Sequence, residues 1–345
     1  MKIAIIAGDS FFKTSAYYIT KLIAAHNHPN KPNFILFDKT PNTQHHLSIP
    51  TIIAKHPLQG ILPEKILQQS QLVKLLKKQN IQKVIVFDEQ DFIKTTIPQV
   101  LIKNSLIADE KHTKQITNCT QVITFLQKLP EAYLAKQTIT FPVIQNSEKP
   151  FTVEEKAAAR QEFADGTPYF VLADFITTKD VFFNALKAFS VFKKMQQSSW
   201  RLVLLLRSKL STKEKEMILQ PLAGFKYRKD VSIINEENEQ VVLKAIAGSY
   251  ALISMDENAG GYPHTIEAMA TAIPVIAAPL GIMEPYKDAA LAAENNKPES
   301  IAAQMMYLYK SETLRSRLST KATALSNKLN TEKPLQTLIE LLLQP

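Results

Sequence analysis

Ser254-Met-Asp-Glu-Asn-Ala-Gly-Gly-Tyr-Pro-His-Thr-Ile-Glu-Ala-Met-Ala270, followed by Thr271-Ala-Ile-Pro-Val-Ile276, is the stretch from which the fold is read. The apolar run Tyr250 to Ser254 predicts a strand that opens into an acidic loop holding the chain's one diglycine, Gly260-Gly261. Next come Tyr262, a helix predicted to begin between Pro263 and Thr265 and to end at Thr271, and a second strand from Pro274 to Ala277. Proline is tolerated in the first helical turn, where its missing N–H would be orphaned anyway. Glycines let a ligand approach the backbone, and the free N–H groups and positive dipole end of a helix then face an anion such as phosphate. Glu267 is expected in the first turn, where it either accepts hydrogen bonds from sugar hydroxyls or favours the helix N-terminus. Both readings stand at this point.

Outward from that segment, the second half alternates strands and helices. Strands are predicted at Tyr169–Ala173, Arg201–Leu206 and Val231–Ile234, and helices at Asp180–Met195, Ser211–Leu222 (capped by Ser211) and Asn238–Gly248. Helical patterns follow at 298–310, 313–329 and 333–343. Residues 142–168, with Pro142, Asn146, Pro150 and Gly166 around a helix from Val153 to Phe163 capped by Thr152 with Glu155, read as a connection. The first half repeats the alternation, with strands at Lys2–Ala7, Asn33–Phe37, Lys83–Phe87, Gln99–Ile102 and Gln121–Phe125, and helices at Ser15–Ala25 and Leu67–Gln79. The proline-rich 38–63 segment lacks periodicity and holds at most short pieces of structure. Two β/α halves predict an α/β protein of two Rossmann-like domains with a cleft between them. The expected division is 1–145, a connection at 146–167, 168–330, and a C-terminal helix at 331–345 that crosses back to the first domain.

Composition narrows the function. A chain of 345 residues exceeds what one core usually serves. One cysteine, Cys119, excludes a disulfide framework or a Cys-based zinc site and reads as a small buried hydrophobe. The longest apolar stretch, Ile273 to Met283, is interrupted by Pro274, Pro279 and Gly281, so no membrane crossing is expected, and a reducing cytoplasm fits. Residues 1–150 hold 18 Lys, no Arg and 10 acids, whereas 151–345 hold 23 bases and 22 acids. A lysine-rich half without arginine lacks the bidentate fork of base readers, so no nucleic-acid partner is expected. These lysines form either a solvated exterior or an attraction to an anionic surface. His26, His28, His45, His46 and His56 lack a metal-binding spacing, and Gly is too sparse for a Walker loop or a nucleophile elbow.

The strand, acidic loop and glycines, then Pro263-His-Thr-Ile-Glu267-Ala-Met-Ala270 and Ile273-Pro-Val-Ile-Ala277, resemble the donor-site signature of family 4 glycosyltransferases, which have the GT-B fold. Further pieces fall in the family's order: Gln121-Val-Ile-Thr-Phe125, Val143-Ile-Gln-Asn146, Phe170-Val-Leu-Ala-Asp174 with Lys179 beyond it, and Gly281-Ile-Met-Glu284. About half the chain is covered. The resemblance implies transfer of a sugar, with retention, from a nucleotide-diphosphate donor, with no cofactor and no essential metal. It implies that Lys179 pairs with the donor diphosphate, that Glu267 binds the ribose, that Gly260, Gly261, Tyr262, Pro263, His264 and Thr265 cradle phosphate and sugar, and that Glu284 faces the donor. On spacing alone Lys179 is an ordinary lysine at a helix start. Arg207, after its strand, either assists the nucleotide or is a surface arginine beside Lys209. The acceptor would be a glycan or lipid-linked, bound by the N-terminal domain, whose lysines would meet anionic membrane peripherally, with cell-envelope polysaccharide synthesis as the setting.

Four polar positions depart from the pattern. The earlier glutamate of the donor motif falls on Ala259, with Asp256 and Glu257 beside it, and a diphosphate-binding arginine falls on Asp174. The turn after the first strand has one glycine, Gly8, and no histidine follows Gln99 to Asn104, His112 being the nearest. A catalytically silent relative that binds a nucleotide sugar, a glycan or a protein is therefore the rival expectation.

Overall fold

The computed structural model describes residues 1–8, 11, 15–27, 29–39, 47–53, 64–87, 91–103, 119–125, 135–140, 151–173, 179–206, 212–236, 238–255, 263–277, 287–331 and 334–344. Two compact units divide the chain: Met1–Ile144 with Glu332–Pro345, and Gln145–Thr331.

The first unit is a parallel sheet in the order β3-β2-β1-β4-β5-β6-β7. Its strands are β1 (Lys2–Ala7), β2 (Asn33–Asp38), β3 (Thr51–Ile53), β4 (Lys83–Val86), β5 (Gln99–Lys103), β6 (Gln121–Phe125) and β7 (Gln137–Thr140). Helices α1 (Ser15–Ala25) and α2 (Glu64–Lys78) provide two of the crossovers. Period-2 alternation sorts the strand residues between two cores. Ile3, Ile5, Leu36, Val100 and Ile102 pack with α1 residues Ile19 and Ile23, while Ala4, Ile6, Phe37, Val84 and Leu101 pack with α2 residues Leu72 and Leu76. Cys119 is buried in the second of these, and burial pushes its thiol pKa up, so it behaves as a small hydrophobe.

The second unit is a parallel sheet in the order β10-β9-β8-β11-β12-β13. It comprises β8 (Tyr169–Ala173), β9 (Arg201–Leu206), β10 (Val231–Asn235), β11 (Ala251–Ser254), β12 (Val275–Ala277) and β13 (Ala290–Ala292). Around it lie α3 (Val153–Ala164), α4 (Lys179–Gln196), α5 (Thr212–Ala223), α6 (Glu239–Ala247), α7 (Pro263–Ala270), α8 (Pro298–Lys310) and α9 (Glu312–Thr331). The predicted capping box of α3 is present: the Glu155 N–H donates to Thr152 Oγ1 and the Thr152 N–H to Glu155. Asn238 caps α6, whereas the Ser211 cap lies outside the described residues.

One face of this sheet carries an aromatic core. Phe170 on β8 meets Phe192 of α4 edge-on at 5.2 Å between ring centroids, and Trp200 at 5.1 Å. Tyr309 of α8 closes on both Phe192 and Trp200. On the opposite face, Tyr169 is fully buried and its hydroxyl donates to the Ala245 carbonyl at 2.5 Å. Burial pushes its pKa up, so it remains a donor.

Gly248, which ends α6, fits beside this bond for want of a side chain. Its φ of −77° suits any residue, but a Cβ there would lie 2.6 Å from Ala159 Cβ and 2.7 Å from the Tyr169 hydroxyl oxygen. Gly248→Ala is therefore expected to destabilise the second unit by about 1–3 kcal/mol through overpacking. Urea unfolding checks this against Gly224→Ala, where nothing lies within 4 Å of the new carbon and little change is expected.

Candidate functional site

In an open parallel sheet, ligands bind beyond the carboxyl ends of the strands, where the strand order reverses direction. The second unit reverses between β8 and β11: the chain runs outward through β9 and β10, then returns to the other side of β8. Two segments singled out in the sequence leave the sheet here. Lys179 is the first residue of α4, the helix after β8, and α7 follows β11. Arg207 directly follows the last residue of β9. Arg207, Gly260, Gly261, Tyr262 and Glu284 lie outside the described residues, as do Asp174, Asp256, Glu257, Ala259 and His112.

Helix α7 begins at Pro263, earlier than the latest start the sequence allows. This moves Glu267 out of the first turn, contrary to expectation, and no acidic residue stands there. A carboxylate in the second turn gains little from the N-terminal dipole, whose effect fades within a turn. Helical Cα–Cβ bonds tilt toward the N-terminus, so Glu267 covers the turn N-terminal to its own Cα. His264, Thr265 and Glu267 are all buried, Glu267 completely. A fully buried carboxylate is costly unless hydrogen-bonded or charge-paired, which separates Glu267 from a solvated surface acid.

The far end of α7 is held firmly. Thr271 Oγ1 donates to the Glu267 and Ala268 carbonyls, and Lys156 Nζ from α3 donates to the Thr271 carbonyl at 2.8 Å. Burial, with Arg315 and Arg160 nearby, lowers the Lys156 pKa, and the helix C-terminal carbonyls favour its charge. Ala272 then turns left-handed, at φ 62°, with the Ile273 N–H returning to Ala268 and the Ala272 N–H to Met269. This is a Schellman closure with alanine where glycine is usual. The clasp that Lys156 puts on the end of α7 had no local sequence signal, since it acts between α3 and α7.

The first unit has its own reversal, between β1 and β4. Gly8 follows β1, Lys39 follows β2, and Asp91 stands beyond β4. Lys39 Nζ pairs with Asp91 Oδ1 at 2.8 Å, and the Lys39 N–H donates to the Ala7 carbonyl. The Asp91 carboxylate fills the side-chain space of Gly8: a Cβ there would be 2.4 Å from Oδ1 and 2.5 Å from Oδ2. Sequence reasoning noted the single glycine of this turn but had no means to place Asp91 against it.

By sequence, no family model and no curated protein matches the chain. Solved structures do match it along nearly its whole length. A glycosyltransferase from Rickettsia africae ESF-5 is 15% identical with a TM-score of 0.71, covering 99% of this chain and 97% of its own. WaaG, a glycosyltransferase involved in lipopolysaccharide biosynthesis, is 12% identical with a TM-score of 0.71, covering 99% and 100%. HepE of Anabaena, in complex with UDP and glucose, is 11% identical with a TM-score of 0.73, covering 99% of each chain. The two parallel sheets with their helices thus have the GT-B fold that the sequence resemblance implies. Among the described residues, no helix is long and apolar enough to cross a membrane.

Proposed function

We propose that this chain is a glycosyltransferase that moves a sugar, with retention, from a nucleotide-diphosphate donor to a glycan or lipid-linked acceptor. The observation that carries this reading is the fully buried Glu267 on α7, beside the strand-order reversal where Lys179 also begins its helix. Structural relatives solved with UDP and with UDP-glucose support a nucleotide-sugar donor. In the reaction, the bond between the sugar's anomeric carbon and the diphosphate oxygen breaks, and a bond to the acceptor hydroxyl oxygen forms. The hydroxyl proton leaves with the diphosphate or solvent. Negative charge grows on the departing diphosphate. Lys179, Arg207 and the N–H groups from Gly260 to Thr265 would stabilise that charge without a metal. Glu267 would accept from the ribose hydroxyls, and Glu284 would face the sugar. The lysine-rich first unit would hold the acceptor, at the cytoplasmic side, in cell-envelope polysaccharide synthesis.

The test is a thermal-shift panel of UDP, GDP, ADP and their sugar conjugates. One nucleotide class is expected to stabilise the chain by about 2.7 kcal/mol at ~100 times its dissociation constant, and Lys179→Ala to weaken that effect. No response to any nucleotide sinks the donor assignment.

A second reading is favoured by one observation: the space beside Gly8, where a glycine turn would admit a ligand, is occupied by the chain's own Asp91 carboxylate. A catalytically silent relative that binds a nucleotide sugar, glycan or protein would tolerate that, and would also tolerate Asp174 and Ala259. Nucleotide stabilisation with no release of nucleoside diphosphate from a sugar nucleotide, across acceptors, would favour this reading.

A further inference from the structure

The near-neutral charge sum of residues 151–345 conceals a local concentration of cations. At the edge where β9 and β10 begin, the run Lys226-Tyr227-Arg228-Lys229 meets Lys193 and Lys194 from the last turn of α4. Together they line or border an open concavity of about 470 Å³ whose walls include Lys193, Lys194, Lys226, Tyr227 and Asp230. Lys193 is 5% exposed and neutralised: its Nζ pairs with Asp230 at 3.0 Å and donates to the Ser198 and Trp200 carbonyls. The Tyr227 ring holds two ammonium groups, Lys193 Nζ at 5.7 Å and Lys226 Nζ at 5.3 Å from its centroid. Lys194, Lys226, Arg228 and Lys229 are exposed, and among the described residues no carboxylate pairs with them. Asp165, near the start of β9, is already paired with Arg201 at 2.7 Å.

Such an edge carries excess positive charge at a concavity with ample room for a phosphate headgroup, and its surroundings are not purely polar. Met195, next to Lys194, is 59% exposed. Tyr309, partly exposed, reaches this same edge by packing on Phe192 and Trp200, and Lys310 follows it. Lysines interleaved with exposed Met and Tyr form the composition of a surface that rests at a lipid headgroup layer, with cations on phosphates and amphipathic rings at the interface. The strands are parallel, so this edge lies roughly 15–20 Å across the sheet from the ends where β8 and β11 finish. An occupant here leaves the donor motif accessible.

We propose that the concavity formed by Lys194, Lys226 and Tyr227 seats the phosphate of an anionic lipid headgroup and docks the second unit on a membrane surface. This goes beyond the transfer reaction and is independent of it. It also differs from a membrane contact by the first unit, and the two are separable by experiment.

The experiment is vesicle co-sedimentation of the full chain at low salt, with phosphatidylcholine alone and with phosphatidylcholine containing about a third phosphatidylglycerol. Binding to the anionic vesicles alone is expected. Each lysine near such a surface is worth about 1 kcal/mol, so Lys194→Gln/Lys226→Gln is expected to lower the partition coefficient by on the order of tenfold or more. Lys194→Glu/Lys226→Glu should lower it further, with thermal midpoints close to the parent's. Lys77→Glu/Lys78→Glu, a pair of exposed lysines at the end of α2, is expected to retain binding. Loss in the α2 variant with retention in the others would overturn the proposal and assign the membrane contact to the first unit. Absence of binding to either vesicle would overturn it outright. Millimolar inorganic phosphate that stabilises the parent but not the Gln variant, with no vesicle binding, would make the pocket a free-phosphate site and equally refute the lipid assignment.

Discussion

Glu267→Ala is expected to abolish nucleotide-induced stabilisation, the larger of the two binding effects foreseen for this chain. At ~100 times its dissociation constant a ligand stabilises the native state by about 2.7 kcal/mol. Hydrogen bonds to an ionised carboxylate contribute about 1.5–3 kcal/mol each, so losing two from a ribose lowers affinity by on the order of 100-fold or more. At the same nucleotide concentration the stabilisation then falls to about 0.4 kcal/mol or less. Truncating a fully buried side chain also disturbs the packing of α7, so Glu267→Gln is the sharper variant. It keeps the volume and one amide oxygen but not the charge, and is expected to retain only a fraction of the shift. Thermal denaturation with and without nucleotide separates the two roles of Glu267. A lowered midpoint without ligand, together with an undiminished nucleotide shift, would mean that Glu267 serves only the packing of α7.

How far the sequence discloses such a site depends on the range of the interactions. The fold class was legible because buried parallel strands are continuous apolar runs: Tyr169–Ala173 and Arg201–Leu206 occupy the positions predicted for them. Of the edge strands, β10 was still legible as an apolar run, but β3, β7 and β13 carry no such mark. Thr51–Ile53 and Ala290–Ala292 are three residues each, and Gln137–Thr140 has one apolar residue, Ile139, so these become strands through pairing with a neighbour rather than through composition. The α7 start was open to within a turn, because Pro263 fits the first helical position as well as the loop before it. That small displacement decides whether Glu267 serves the helix dipole.

Charge was misleading for a different reason. Summed over residues 151–345 it nearly cancels, yet beside the cations of 226–229 the adjacent acid, Asp230, is paired with Lys193. Electrostatics acts over about a Debye length, ~8–10 Å, so the local excess matters and the half-chain total does not. The Gly8 turn shows the same limit. Its lone glycine was visible, but Asp91 comes from beyond β4 and only the β1–β4 pairing brings it there.

Removal of residues 334–345 is expected to unfold the first unit while leaving the second folded. The α10 helix (Pro334–Leu343) belongs to the first unit although it follows the second in the chain. Leu338 and Leu342 are completely buried in the core formed by Ile3, Ile5, Leu36 and Ile23, and Ile339 is completely buried as well. At about 1.5–3 kcal/mol for each such side chain, their loss removes about 5–9 kcal/mol, comparable to the whole stability of an ordinary domain. Hydrogen exchange read by unit, or a two-step urea transition, distinguishes this from general destabilisation; equal loss in both units would refute it. The end of α10 has a specific clasp. Lys83 at the start of β4, 3% exposed, donates from Nζ to the Leu342 carbonyl at 3.0 Å and to the Gln344 carbonyl. These are orphan acceptors of a helix C-terminus, where a cation also meets the negative dipole end. Burial nevertheless lowers the Lys83 pKa below its ordinary value. Between that lowered value and 10.5 the unfolded chain binds the extra proton, so the Lys83 contribution to stability rises as pH rises through this window. Lys83→Met lacks that slope, and the stability difference between parent and variant should move in the parent's favour as pH increases toward 10.5.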